Sequence, residues 1–149
     1  MIKEIVTDVN ILAKKSEPCT FNELGILKNR QVVEDMIDTA IANEPECIGL
    51  AAIQIDEYKR IIIMKLEGRW EAMLNPTYTP VRSAGVKRYK EGCLSFPETI
   101  HKNTPERRRW KKIHLTYKSI TGYESKITLM KLNAVIAQHE IDHCNGKLI

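Results

Sequence analysis

Residues 132–144 read Leu132-Asn133-Ala134-Val135-Ile136-Ala137-Gln138-His139-Glu140-Ile141-Asp142-His143-Cys144 and run on into Asn145-Gly146. Leu132, Val135, Ile136, His139 and His143 recur at spacings of three and four, which predicts a helix ended by Asn145-Gly146. No clean capping residue marks its start. Inside it, His139-Glu140-Ile141-Asp142-His143 is an H-E-x-x-H word. The i, i+4 spacing projects two imidazoles from one helix face toward a single divalent metal, with a carboxylate between them to handle protons. Leu132, Val135 and Ile136 make the same face apolar, so the helix is expected to be packed rather than solvated.

A catalytic metal normally takes three protein ligands and keeps a fourth position for water. In the metzincin pattern the third histidine would fall where Ile149 stands, and a glutamate from a downstream helix does not fit in the six residues after His143. The third ligand is therefore sought upstream, where Glu91-Gly92-Cys93-Leu94-Ser95 offers a thiolate between small, flexible neighbours. Cys93 is the expected ligand. Cys144 points off the helix at about 100° from His143, and His101 and His114 lie in basic, strand-like surroundings that suit structural roles.

Outward from this helix, Val32, Val33, Met36, Ile37, Ala40 and Ile41 predict a second helix over residues 31–42, closed by Pro45. Residues 47–54 are small and apolar, as a segment reaching the interior would be. Two short strands are expected at 59–65 and 71–74, with Gly68 at the turn and Asn75-Pro76 at the end. A hairpin over 112–118 and 126–130 turns at Thr121-Gly122. Residues 107–112, Arg-Arg-Arg-Trp-Lys-Lys, read first as a solvated strand approach and second as a contact for RNA phosphates. Without alternating βαβ units, the order predicts a single α+β domain over residues 1–149. In it, mixed or antiparallel strands pack around the central C-terminal H-E-x-x-H helix, with one N-terminal helix.

The apolar content of 43% and charged content of 28% are those of an ordinary globular chain. The longest apolar run, Ile61 to Met64, is far short of the roughly 20 residues a membrane span needs, so no membrane crossing is expected. Residues 1–10 lack the basic-then-apolar plan of an export signal, which favours the cytoplasm. The four cysteines are then expected to be thiols or a metal ligand rather than disulfides. A net charge of +4 is modest, and no specific DNA binding is expected.

Taken together, residues 47–54, 91–95 and 138–143 closely resemble, in order and spacing, the three signature motifs of peptide deformylases, and the likeness runs from about Val32 to Leu148. The resemblance implies hydrolysis of the N-formyl group from the initiator methionine of nascent peptides. It implies one divalent metal ion per chain, Fe²⁺ natively, with Zn²⁺, Ni²⁺ or Co²⁺ as substitutes. Carried over by position, Cys93, His139 and His143 would bind the ion, Glu140 would act as general acid and base, and Gln54 with the Leu94 backbone N–H would stabilise the oxyanion. Ile48, Gly49, Tyr89, Val135 and Ile136 would surround the methionine pocket and peptide groove, with plain core packing as the competing role for each. Glu91 is a candidate to orient a ligand.

Three departures stand out. Cys47 occupies a position that is usually glycine, adding a side chain where substrate is expected to pass. Glu98, Thr99, Ile100 and His101 occupy the neighbourhood of an arginine often found beyond the second motif. The chain stops at Ile149, without the further helix that docks many bacterial deformylases on the ribosome; short forms of this kind resemble those encoded by bacteriophages. The run 107–112 is then a candidate transient ribosome contact. Two other readings remain: a zinc peptidase, which would not need Cys93, and a metal-stabilised binding domain, in which Glu140 would be a solvated helix acid.

Overall fold

The computed structural model describes residues 1–101 and 104–148. In chain order the elements are α1 (Val9–Leu12), α2 (Glu23–Ala42), β1 (Gly49–Ala51), a 3-10 turn (Ala52–Ile55), β2 (Ile61–Leu66) and β3 (Arg69–Pro80). Then follow β4 (Val86–Lys90), α3 (Glu98–His101), β5 (Glu106–Trp110), β6 (Lys112–Lys118), β7 (Glu124–Met130) and α4 (Lys131–Cys144). Five strands form one antiparallel sheet in the order β1-β2-β3-β6-β7, and β4 pairs with β5 in a separate antiparallel ribbon. The expected α+β class stands, with strands around the H-E-x-x-H helix.

The run Ile61-Ile62-Ile63-Met64 explains the layering. Successive strand side chains alternate between faces, and here both faces are covered. Ile62 and Met64 join a core with Ile136, Ala137 and Ile141 of α4, whereas Ile61 and Ile63 join a core with Val32, Val33 and Met36 of α2. All four are fully buried. Burying each such side chain contributes about 1.5–3 kcal/mol, so this strand clamps the two helices to opposite faces of the sheet.

Several boundaries differ from the expectations. Helix α2 begins eight residues before residue 31, because the Asn22 side chain accepts a hydrogen bond from Gly25 N–H and caps it. Its first turns expose Leu24 and Leu27, which blurs the apolar period there. It ends at Ala42, before Pro45. There are two helical segments in the N-terminal part rather than one, the short α1 being capped by Asp8. Strand β3 does not stop at Asn75-Pro76; its pairing with β6 shifts register between Leu74 and Thr77 and continues to Pro80. Asn75 takes a positive φ of 49° at that irregularity, a conformation asparagine tolerates. Its side chain accepts from Cys19 N–H at 2.7 Å and donates to the Cys19 carbonyl. The start of α4 is uncapped by any side chain, as expected.

Candidate metal centre

Helix α4 runs through the interior, with every residue from Ala134 to Ile141 buried. Its one-turn spacing sets the His139 and His143 rings 5.1 Å apart between centroids. The loop after β4 brings Cys93 to them. Phe96 N–H donates to the Cys93 carbonyl and Cys93 N–H donates to Thr99 Oγ1, so the loop folds back on itself around the thiol. Gly92 permits this closeness, since a Cβ there would sit 3.1 Å from the Ile100 Cα.

Cys93 Sγ and one nitrogen from each of His139 and His143 lie within 4.8 Å of one another, and all three residues are buried. Cys93 Sγ is 3.4 Å from His143 Nε2. Tetrahedral S and N ligands at ordinary zinc bond lengths stand about 3.5 Å apart, so the donor set fits a divalent ion of the zinc or ferrous kind. His139 Nδ1 is 2.8 Å from Glu91 Oε1. A carboxylate can only accept here, so Nδ1 is the donor and Nε2 is the nitrogen left to face a metal.

Glu91 is itself held. Arg109 of β5 donates Nε–H and Nη2–H to its two oxygens, both at 2.8 Å, and Nη1–H to Asp142 on α4. This corrects the solvated reading of residues 107–112 at Arg109, while Arg108 and Lys111 are exposed as expected. Arg109 is buried and neutralised by two carboxylates, because β5 turns alternate side chains toward α4. Burial alone would raise Glu91, but Arg109 and His139 hold it below the usual carboxylate range. Arg109 and Asp142 were missed from the sequence. One is hidden among identical neighbours and the other is a variable position of the H-E-x-x-H word.

Glu140 is 4% exposed. Burial pushes its carboxyl up to about 7, opposed mainly by the nearby His139. Among the described residues its Oε1 is buried with no hydrogen-bond partner, an unsatisfied acceptor next to the donor set. Burial takes His143 down to about 3. For His139 burial also lowers, but Cys93, Glu140 and Glu91 outweigh it and carry the imidazole up to about 10. The negative groups gathered around His139 suit a cation beside it.

A pocket of about 230 Å³ opens onto this centre, and its lining includes all the expected substrate-site residues: Ile48, Gly49, Tyr89, Val135 and Ile136. Gln54, Leu94, Cys93, His139 and Glu140 also line it, as do Glu46, Lys90, Ile100 and Leu132, which had not been singled out for the pocket. Gln54 sits in the 3-10 turn after β1, where its Oε1 accepts from Ala51 N–H at 3.0 Å. Its Nε2 thereby points at Cys93 Sγ (3.6 Å) and Ser95 Oγ (3.2 Å). Gly49 passes so close to α4 that a Cβ would lie 2.6 Å from Glu140 Oε2. Cys47 does not line the pocket. It is 2% exposed, packs in the α2-side core and donates its thiol to the Gly49 carbonyl. The concern that it obstructs substrate is therefore removed. Cys144 lies in the core outside the donor set, and His114 is exposed beside Thr128. The His101 side chain lies outside the described residues.

An α+β fold wrapped around a buried helix, with a thiol and two imidazoles gathered beside an H-E-x-x-H glutamate that lines a pocket, is the arrangement of the metallohydrolases that hold one ion on three side chains. The polypeptide deformylase profile matches residues 2–149. The peptide deformylase of Clostridium beijerinckii is 34% identical over 152 aligned positions that span both chains in full. The Thermotoga maritima peptide deformylase structure superposes with a TM-score of 0.86 at 30% identity, covering 99% of this chain and 95% of that one. A class I type b peptide deformylase from Acinetobacter baumannii, crystallised with Met-Ala-Ser, also gives 0.86, at 26% identity, covering 99% and 97%. The chain belongs to the polypeptide deformylase family.

Proposed function

We propose that this protein hydrolyses the N-formyl group from the initiator methionine of nascent peptides and releases formate, using residues 1–149 as one catalytic domain. The observation that carries this reading is the Cys93, His139 and His143 donor set beside a buried glutamate with an unpaired oxygen. Support comes also from the family match and from the Met-Ala-Ser bound by the Acinetobacter relative.

Cys93, His139 and His143 would hold one divalent ion, Fe²⁺ in our reading, with Zn²⁺, Ni²⁺ or Co²⁺ as substitutes. Such an ion polarises a carbonyl and lowers the pKa of bound water to about 7. Glu140 Oε1 accepts the proton of the attacking water and later returns it to the leaving amine. Gln54 Nε2 and the Leu94 N–H donate to the oxygen on which negative charge grows, a type of contact that contributes about 3–4 kcal/mol to lowering the barrier. Arg109 keeps Glu91 ionised, and Glu91 keeps His139 turned toward the centre. Ile48, Val135 and Ile136 provide apolar walls for a methionine side chain, with Gly49 and Tyr89 beside the peptide backbone.

The substrates are N-formylmethionyl peptides, met in the cytoplasm of a bacterium or of a phage-infected bacterial host during a transient contact with the ribosome. Among the described residues no helix is long and apolar enough to cross a membrane. Formate release from formyl-Met-Ala-Ser by anaerobically purified, iron-loaded protein tests the reading. Glu140→Gln is expected to keep its metal and lose about 10²–10⁴-fold in turnover. Absence of formate from the metal-loaded parent would return the peptidase and binding-domain readings to the front.

A further inference from the structure

Charge is unevenly placed along this chain. Residues 82–112 carry ten of the 23 lysines and arginines but three of the 19 acids, a net +7, whereas the remainder carries a net −3. The fold concentrates much of the excess on the β4–β5 ribbon. Arg88 and Arg108 are directly opposed across the two strands, an arrangement in which like charges repel. Arg109 is spent on Glu91 and Asp142. Among the described residues Lys87, Arg88, Lys90, Arg107, Arg108 and Lys111 have no carboxylate within ion-pairing distance. The Arg107 Nε is buried without any acceptor. Five of these six residues are exposed, Arg107 being half-buried.

We infer that the β4–β5 ribbon is an RNA-binding surface that grips the phosphate backbone of structured RNA at the rim of the substrate pocket. Side chains on one face of a ribbon recur every ~6.8 Å, and the face that carries Arg88 and Arg108 also carries Lys90, opposite Glu106, a cluster of three cations spaced to meet successive phosphates. Phosphate contacts need basic charge and no base readout. No large apolar side chain described between residues 82 and 112 is exposed, so the surface has nothing to insert into a lipid layer. Tyr89 and Lys90 belong both to β4 and to the pocket lining, so RNA held on the ribbon lies beside the pocket mouth. The choice of RNA over other polyanions rests on the proposed function, because a formylated nascent chain emerges from an RNA-rich machine.

The test is fluorescence anisotropy of a labelled RNA stem–loop with metal-loaded enzyme, titrated from about 50 mM to about 300 mM salt. Arg88→Glu with Arg108→Glu is expected to weaken binding at least about tenfold at low salt and to flatten the log–log salt slope by about 2. Lys28→Glu with Arg30→Glu, on α2, makes the same change in net charge and is expected to leave binding near the parent value. Formate release from free formyl-Met-Ala-Ser is expected to be equal in all three. If charge reversal disturbs folding, Arg88→Gln with Arg108→Gln is expected to show a smaller loss with the same slope change. Unaltered RNA binding by the ribbon variants, an equal loss in the α2 variant, or tighter binding to phosphatidylserine vesicles than to RNA would overturn the inference. RNA binding without formate release would leave the surface standing and remove the proposed activity.

Discussion

In the proposed reaction Glu140 combines two demands at one residue: it must be buried to face the pocket floor, and it must ionise to take a proton. Burial holds the folded carboxyl at about 7, against an ordinary value of 4.5. The folded metal-free chain therefore binds a proton that the unfolded chain has lost between those values, and stability falls as pH rises through that window. The loss reaches up to about 3 kcal/mol. Glu140→Gln removes this titration, so the thermal midpoint of the metal-free variant is expected to gain on the parent between about pH 4.5 and 7 and to stay level above. A difference between the two that does not change with pH would contradict it. The residue's place beside two imidazoles was legible in the sequence because the H-E-x-x-H spacing is local to one helical turn. The brace beneath it was not, since Glu91 and Arg109 are 18 residues apart and meet only through the fold.

At the scale of elements, the approach of β1 to α4 is set by one missing side chain. A Cβ at residue 49 would stand 2.6 Å from Glu140 Oε2 and 2.7 Å from Ile136 Cγ2, so Gly49→Ala has to push β1 off the helix or turn the carboxylate away. Formate release is expected to fall about 10²-fold, since small displacements of catalytic groups have effects of that order, while metal content stays near one ion per chain. Parent-like turnover in a folded Gly49→Ala protein would show that this close approach is not needed. The small-residue character of residues 47–54 pointed to an interior path. It did not reveal that Cys47 faces the α2-side core while Gly49 faces Glu140, because which way each residue of so short a strand points is set by its pairing with β2. The β4–β5 ribbon escaped the sequence reading for a related reason. Five basic side chains from residue 107 to 112 conceal the period-2 alternation that places Arg109 inward.

Across the whole molecule, a metal would join the loop after β4 to the C-terminal helix, two segments separated by 50 residues. An ion that binds only the folded chain stabilises it by mass action. Stripping the loaded protein with a chelator is expected to lower its thermal midpoint by on the order of 10 °C. Cys93→Ala, lacking one ligand, should show little response to the same treatment. Equal midpoints before and after stripping of the parent would argue against a site formed by these three residues.

What the sequence by itself determined were the features that repeat within a few residues: the buried H-E-x-x-H helix, the short apolar strand around residues 61–64, the hairpin of β6 and β7, and the α+β class. Each follows from a helix repeating every 3.6 residues or a strand every two, so a short window contains the whole signal. Only the tertiary structure decided that Arg109 is an internal brace rather than a solvated charge, that Cys47 leaves the pocket clear, and that unpaired cations gather on one ribbon. Those outcomes depend on which distant partners come within hydrogen-bonding reach, and a charge or a thiol carries no mark of its partner until the chain has folded.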